Sequence, residues 1–342
     1  MAEAPPAGVP RDFEPVHFFL PGEADLERLR GLDPDRDWQD FVRGEHAWIL
    51  QTYLRLRSFG YPVELVGEPP PSGLVVFHAK HEGVLLRHAR QLREAVLVGV
   101  RGDLREPLAA DFQVLQNHVW ADGRSRFFVP HWLQPGLLPR DPARGTRIEK
   151  VVFKGFSRNL HADFHQPRWR DQLRERGIEW VFDATDFEGT GTAVGRLSWH
   201  DFREADLILA VRPPSSRGHT AKPATKLCNA WAAGVPALLG PEPAYRELRE
   251  SELDYLEVSS SAEALAAIDR LRASPELYLA MVEQARRRVA AFTPAAIASC
   301  WVDLLWQRIP DLAGQRPLRG LPLRLRPLLR RLARLGEGRP AR

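Results

Sequence analysis

Short apolar runs that alternate with longer amphipathic stretches, in two successive series, confine this chain to few folds. The first series contains PVHFFLPG (15–22), PVELVGEPPP (62–71), GLVVFHAKHEG (73–83) and EAVLVGVRG (94–102). A helical pattern, EHAWILQTYLRLRSFG (45–60), ends at Gly60. The second series contains EKVVFKG (149–155), IEWVFDAT (178–185), ADLILAVRPP (205–214) and VPALLG (235–240). Between them, LQPGLLPRDPARGTR (133–147) holds three prolines and two glycines and reads as a linker. Repeated strand–helix alternation gives parallel sheets with helices on both faces. The expectation is an α/β chain with two facing, doubly wound domains, over 1–145 and 146–300. A terminal helix over 301–314 and a basic Arg/Leu tail over 315–342 would follow.

The 342 residues suit two domains of ordinary size, and 44% hydrophobic content suits real cores. The net charge of +4 is unevenly spread. Residues 315–342 hold nine Arg and one Glu, while the remainder carries 39 basic and 43 acidic residues. The basic character belongs to the tail, so a nucleic-acid-binding body is not expected. Cys228 and Cys300 lie far apart, which argues for a reducing compartment and a cytoplasmic location. The opening MAEAPPAGVPRDFEP reads as neither signal peptide nor membrane span, and no eighteen apolar residues run together.

The segment KPATKLCNAWAAGVPALLG (222–240) holds two of only five lysines in the chain. Both stand near the expected start of a helix over 223–233, with Pro223 at its first position and Gly234 as its cap. Spacing puts Lys222, Thr225, Lys226 and Asn229 on one face. The positive end of a helix dipole disfavours cations, so the arrangement makes sense when an anion docks there. A pyrophosphate fits. The plainer reading is two lysines reaching solvent from an ordinary surface helix.

This segment resembles the donor-site signature of GT-B glycosyltransferases of the "glycosyl transferases group 1" type, with NAWAAGVPA in the place of their E-A-M-A-x-G-x-P-V. WHDFREADLILAVRPP (199–214), VVFKGFSRNL (151–160) and FFVPHWLQPGLLPRD (127–141) resemble flanking parts of the same pattern. The resemblance implies two Rossmann-like domains and sugar transfer from a nucleotide diphospho-sugar. It implies an acceptor glycan or lipid on the N-terminal side. Neither a cofactor beyond the donor substrate nor a bound metal is implied. Two Glu residues seven apart usually stand at this helix start, and Lys222 and Asn229 occupy those places here. The implied roles put Lys226, Arg158 and the helix dipole on the diphosphate, Asn229 on the ribose and Glu242 near the donor sugar. A catalytically silent nucleotide-sugar-binding or scaffold protein of the same fold is the alternative.

Other candidates surround this core. Lys154, Gly155, Ser157 and Arg158 follow the first strand of the second series, in a strand-to-helix crevice of the kind that binds ligands. Gly22 follows the first strand of all and either admits a phosphate or merely turns the chain. His81, then His78, are the candidates for deprotonating an acceptor hydroxyl. A structural cap at the strand end is the competing reading for both. GTGTAVG (189–195) trails its strand by too much for a dinucleotide fingerprint. HADFH (161–165) lacks the glutamate and third ligand of a zinc helix. The tail PLRGLPLRLRPLLRRLARLG (317–336) reads either as an interfacial helix drawn to anionic lipid or as a solvated basic tail.

Overall fold

The computed structural model describes residues 15–92, 94–185, 197–215, 218–314 and 321–336. In the first half, β1 (Val16–Phe19), β2 (Val63–Val66), β3 (Leu74–His78), β4 (Val96–Val100), β5 (Phe112–Leu115) and β6 (Arg126–Phe128) form one sheet. Its order is β2-β1-β3-β4-β5-β6, and the pairings are parallel. Alternation along β1 sends Phe18 and Phe19 into opposite cores. Phe18 packs with Leu50 and Leu54 around α2 (Gln51–Ser58), which follows α1 (Leu26–Arg30). Phe19 packs with Phe77 and with Leu85 of α3 (Glu82–Arg87).

The second half repeats the plan. β7 (Lys150–Phe156), β8 (Glu179–Thr185), β9 (Leu207–Ala210), β10 (Ala237–Leu239) and β11 (Leu256–Glu257) form a parallel sheet ordered β11-β10-β9-β7-β8. On one face Val151 and Phe153 meet Trp169 and Leu173 of α4 (Pro167–Glu175). On the other, Val152 and Ile208 meet Leu227 and Trp231 of α5 (Thr225–Ala233). α6 (Pro243–Leu248), α7 (Ser261–Ala273) and α8 (Pro275–Val289) complete this domain. The glycine-rich stretch 189–195 lies outside the described residues.

The chain then returns to the first domain. α9 (Pro294–Val302), a π-helical turn (Asp303–Arg308) and α10 (Ile309–Ala313) carry Ile297, Trp301, Leu305 and Ile309 into the first core. The boundary expected at 300 is therefore corrected: the crossing begins at Pro294, because these apolar side chains find their cover on the first sheet. The run Pro275–Ala313 is long and apolar enough to cross a membrane by length and composition. The sequence reading did not anticipate this. Much of that apolar surface is already covered, since Tyr278, Met281, Phe292, Trp301 and Ile309 are buried.

The basic tail docks as well. Leu323 joins Phe19, Phe77, Ala109 and Ala110 in the second core of the first domain. α11 (Arg326–Gly336) begins with Arg326, buried against Asp111 at 3.0 Å. The β4–β5 connection, residues 101–111, forms no helix of its own. The tail segment covers that loop, where a crossover helix ordinarily packs.

Candidate functional site

Open parallel sheets bind ligands where the strand order reverses, at the carboxyl ends of the strands. The first sheet reverses between β1 and β3, and the second between β7 and β9. The carboxyl ends of both sheets face one interdomain cleft. Asp103, after β4, pairs with Lys222, and His118 N–H, after β5, donates to Glu247 of α6 at 2.7 Å. Asn117 and Trp120 donate to the carbonyls of Lys222 and Thr220, both at 3.1 Å.

At the second reversal a cavity of about 370 Å³ opens between the two strand ends. Ser157, Arg158, His161, His165, Pro213 and Pro214 line it. His161 N–H donates to the Val211 carbonyl at 2.7 Å and ties the two strand ends together. Arg158 is exposed, with its guanidinium 4.6 Å from the Phe156 ring centre. His161 and His165 flank a short 3-10 turn (Ala162–His165), which does not present them as a zinc helix would. Among the described residues no group of three or more His, Cys, Asp or Glu side chains could hold a metal ion.

Beside the crevice stands a partly buried charged cluster. Arg212, immediately after β9, donates from Nε to Glu242 at 2.9 Å. Glu242 is only 3% exposed, and its second carboxylate oxygen has no partner. Arg212 Nη1 and Tyr245 Oη are likewise buried without partners. Lys226 donates to the Lys154 carbonyl, and its ammonium lies 5.1 Å from the Phe153 ring centre. Gly155 makes this approach possible: a Cβ there would stand 2.9 Å from Lys226 Nζ, and its φ is +152°. Burial, with the nearby Arg212 charge second, pulls the Lys226 ammonium down to about 7. Orphaned buried polar atoms and a cation with a depressed pKa are features that recur at functional sites.

The residues expected to share one helix face diverge. α5 begins at Thr225, so Lys222 lies ahead of the helix and turns to Asp103. Thr225 lines a small interdomain pocket with Gln116 and His131. Asn229 accepts the Gln134 N–H at 2.9 Å, so its carbonyl oxygen holds the linker. Only Lys226 turns into the donor-side cluster. Lys154 is a correction: alternation along β7 places it opposite Gly155. Asp183 at 3.1 Å and the Ser198 carbonyl at 2.8 Å hold its ammonium. It is thereby committed within its own domain and withdrawn from the diphosphate.

On the first domain, Gly22 turns the chain after β1 with φ +79° and open space around it. His78 is a second correction. It is 3% exposed, and both ring nitrogens are buried without partners. Gly102 packs so closely that a Cβ there would lie 2.6 Å from His78 Nε2. Burial lowers His78 to about 4. A ring sealed in this way cannot reach an acceptor hydroxyl. His81 remains half-buried at the loop, and burial lowers its pKa too.

The partners of the charged groups around these histidines escaped the sequence reading. Lys80 pairs with Glu45 at 2.7 Å. Burial alone would raise Glu45, but the bond from Lys80 and the Arg43 charge prevail and hold it at about 2. Glu23 bonds His46 Nε2 at 3.1 Å and pairs with Arg43. Arg212 was missed too, although its place at a strand end, just before Pro213 and Pro214, was the available signal.

Two doubly wound domains whose reversal points open on one cleft define the GT-B class. Residues 157–302 match the family model described as glycosyl transferase-like, which confirms the resemblance carried by the α5 segment. Over that stretch the chain is similar to glycosyltransferases, and its two-sheet architecture is of the GT-B kind. No curated protein matches it. Among solved structures, an alpha1,3-fucosyltransferase with GDP is similar at 11% identity and a TM-score of 0.47, over 89% of this chain and 93% of that one. HepE from Anabaena in complex with UDP is similar at 13% identity and a TM-score of 0.42, over 89% and 98%. The GtfA/B complex is similar at 11% and 0.45, over 77% of this chain, which spans only 60% of that one. The fold assignment rests on the strand order, not on these low scores.

Proposed function

We propose that the protein transfers a sugar from a nucleotide diphospho-sugar to a hydroxyl of a glycan or lipid acceptor held by the first domain. The observation that carries the reading is the cluster of half-buried Arg212 and Lys226 with buried Glu242 at the second reversal point. As the anomeric C–O bond breaks, negative charge grows on the departing diphosphate. Lys226 and Arg212, with the uncapped first turn of α5, stabilise that charge, and Arg158 reaches it from the crevice rim. Glu242 orients Arg212 and keeps one carboxylate oxygen for a donor hydroxyl. His81, neutral near pH 7, takes the acceptor proton. Gly22 and Ser157 give the donor close backbone approach. No cofactor and no divalent metal take part, and the setting is the reducing cytoplasm, where Cys228 and Cys300 stay free thiols.

The test is turnover of a panel of UDP-, GDP- and TDP-sugars by purified protein, read as released nucleoside diphosphate. Transfer or slow donor hydrolysis is expected, unchanged in EDTA. Activity lost in EDTA and restored by Mg²⁺ or Mn²⁺ would refute the metal-free mechanism. His81→Ala should lower turnover by about 10²–10⁴-fold with donor affinity retained.

A second reading has its own support. At the positions where the resemblance places a Glu pair, Lys222 ties the second domain to the first and Asn229 ties it to the linker. A silent nucleotide-sugar-binding protein would show donor binding with no turnover for any member of the panel.

A further inference from the structure

Nine large hydrophobic side chains are exposed among the described residues, and five of them are Leu321, Leu325, Leu328, Leu329 and Leu332. This concentration is not scatter. At 100° per residue, Leu328, Leu329 and Leu332 fall in one arc of α11, with exposures of 54%, 37% and 55%, and Leu325, 46% exposed, ends the 3-10 turn just before it. The docked side of the same helix is separate. Arg326 reaches Asp111, and Arg330 donates to the Leu108 carbonyl at 3.1 Å. The Leu arc is therefore held facing outward by contacts that do not use it. Arg324 and Arg331 are exposed beside it, in a segment whose sequence carries nine Arg and one Glu over 315–342.

We propose that this outer face of α11 docks on an anionic bilayer surface. Leucine that is exposed in water inserts among acyl chains, while flanking guanidiniums meet lipid phosphates. The charge selects the occupant. A like-charged second copy would bring Arg against Arg, and an uncharged apolar partner would leave the Arg rim unused.

The location adds a consequence. Glu82, the residue after His81, accepts the Ala109 N–H at 2.6 Å, while Arg330 grips Leu108 next to it. α11 thus borders the loop that carries His81. A bilayer on α11 delivers its acceptor to that edge of the cleft, so the acceptor is itself bilayer-borne. This last step rests on the transferase reading, whereas the docking face does not.

The experiment is co-sedimentation of the full chain with vesicles of phosphatidylcholine, with and without a quarter phosphatidylglycerol. Binding to the anionic vesicles at low salt and release at high salt are expected. The variant L325S/L328S/L329S/L332S should lose about tenfold or more in partitioning. Arg324→Gln with Arg331→Gln should reduce the preference for anionic vesicles by about tenfold. Both variants should keep the native melting temperature and donor affinity, because neither set holds the fold or the site. Absence of native binding, or equal binding by the Leu variant, overturns the proposal. Vesicle binding by a protein that binds no nucleotide sugar would sink the transferase reading and leave the docking face standing.

Discussion

Arg326→Ala should lower the stability of the first domain by about 3–5 kcal/mol, the usual cost of removing one side of a buried ion pair. The carboxylate left behind is Asp111, 1% exposed, which also accepts the Leu97 N–H at 3.0 Å. That backbone bond keeps Asp111 in place, so it cannot swing out to water. The expected readout is a urea midpoint that falls for the first domain, with the second domain's transition unmoved. Truncation after Gly314 should cost more, since Leu323 leaves the core together with Arg326. A sequence reading of the tail as a separable appendage predicts the opposite, a shortened protein as stable as the whole. A native-like midpoint for Arg326→Ala would mean that the tail is only loosely laid on the domain.

That contrast shows where the sequence is informative. Alternation and helical period place the strands, because each apolar run had to be buried on two faces. The terminal Pro223 and Gly234 bracket α5 to within two residues, and Gly234 does adopt the left-handed cap with φ +66°. Partners distant along the chain are a different matter. Arg326 and Asp111 lie 215 residues apart, and no local pattern ties them. The helical wheel applies to Thr225, Lys226 and Asn229, while Lys222 lies ahead of the first turn, and angle does not say what stands opposite. The first domain stands opposite Lys222 and Thr225, the linker stands opposite Asn229, and Lys226 alone bends toward its own sheet. Lys154 was legible in principle: period-two alternation along β7 separates it from Gly155 and Phe153. Arg212 stood at a strand end legible in the sequence, and the reversal between β7 and β9 is what makes that particular end a ligand site.

Lys226→Met should weaken nucleoside diphosphate binding by about tenfold or more, in line with roughly 1.5–3 kcal/mol for a hydrogen bond to a charged group. The same substitution should stabilise the unliganded protein, and by more at pH 6 than at pH 9. The sign follows from the burial. In the unfolded chain lysine titrates near 10.4, whereas the folded ammonium is pulled down to about 7. Below pH 7 both states hold the proton, and the fold bears the full cost of a buried cation. Between about 7 and 10.4 the unfolded chain binds the extra proton, so stability from this group rises with pH. Methionine removes the cost where it is largest and changes little where lysine is already neutral. A diphosphate reverses the balance, because its charge favours the ammonium. Binding at pH 8 should therefore take up a proton, and the calorimetric heat should differ between Tris and HEPES, whose ionisation heats differ. At pH 6 the two buffers should give one heat, and Lys226→Met should give one heat at both pH values. Tight binding at pH 8 with identical heats in the two buffers would show that Lys226 does not meet the diphosphate.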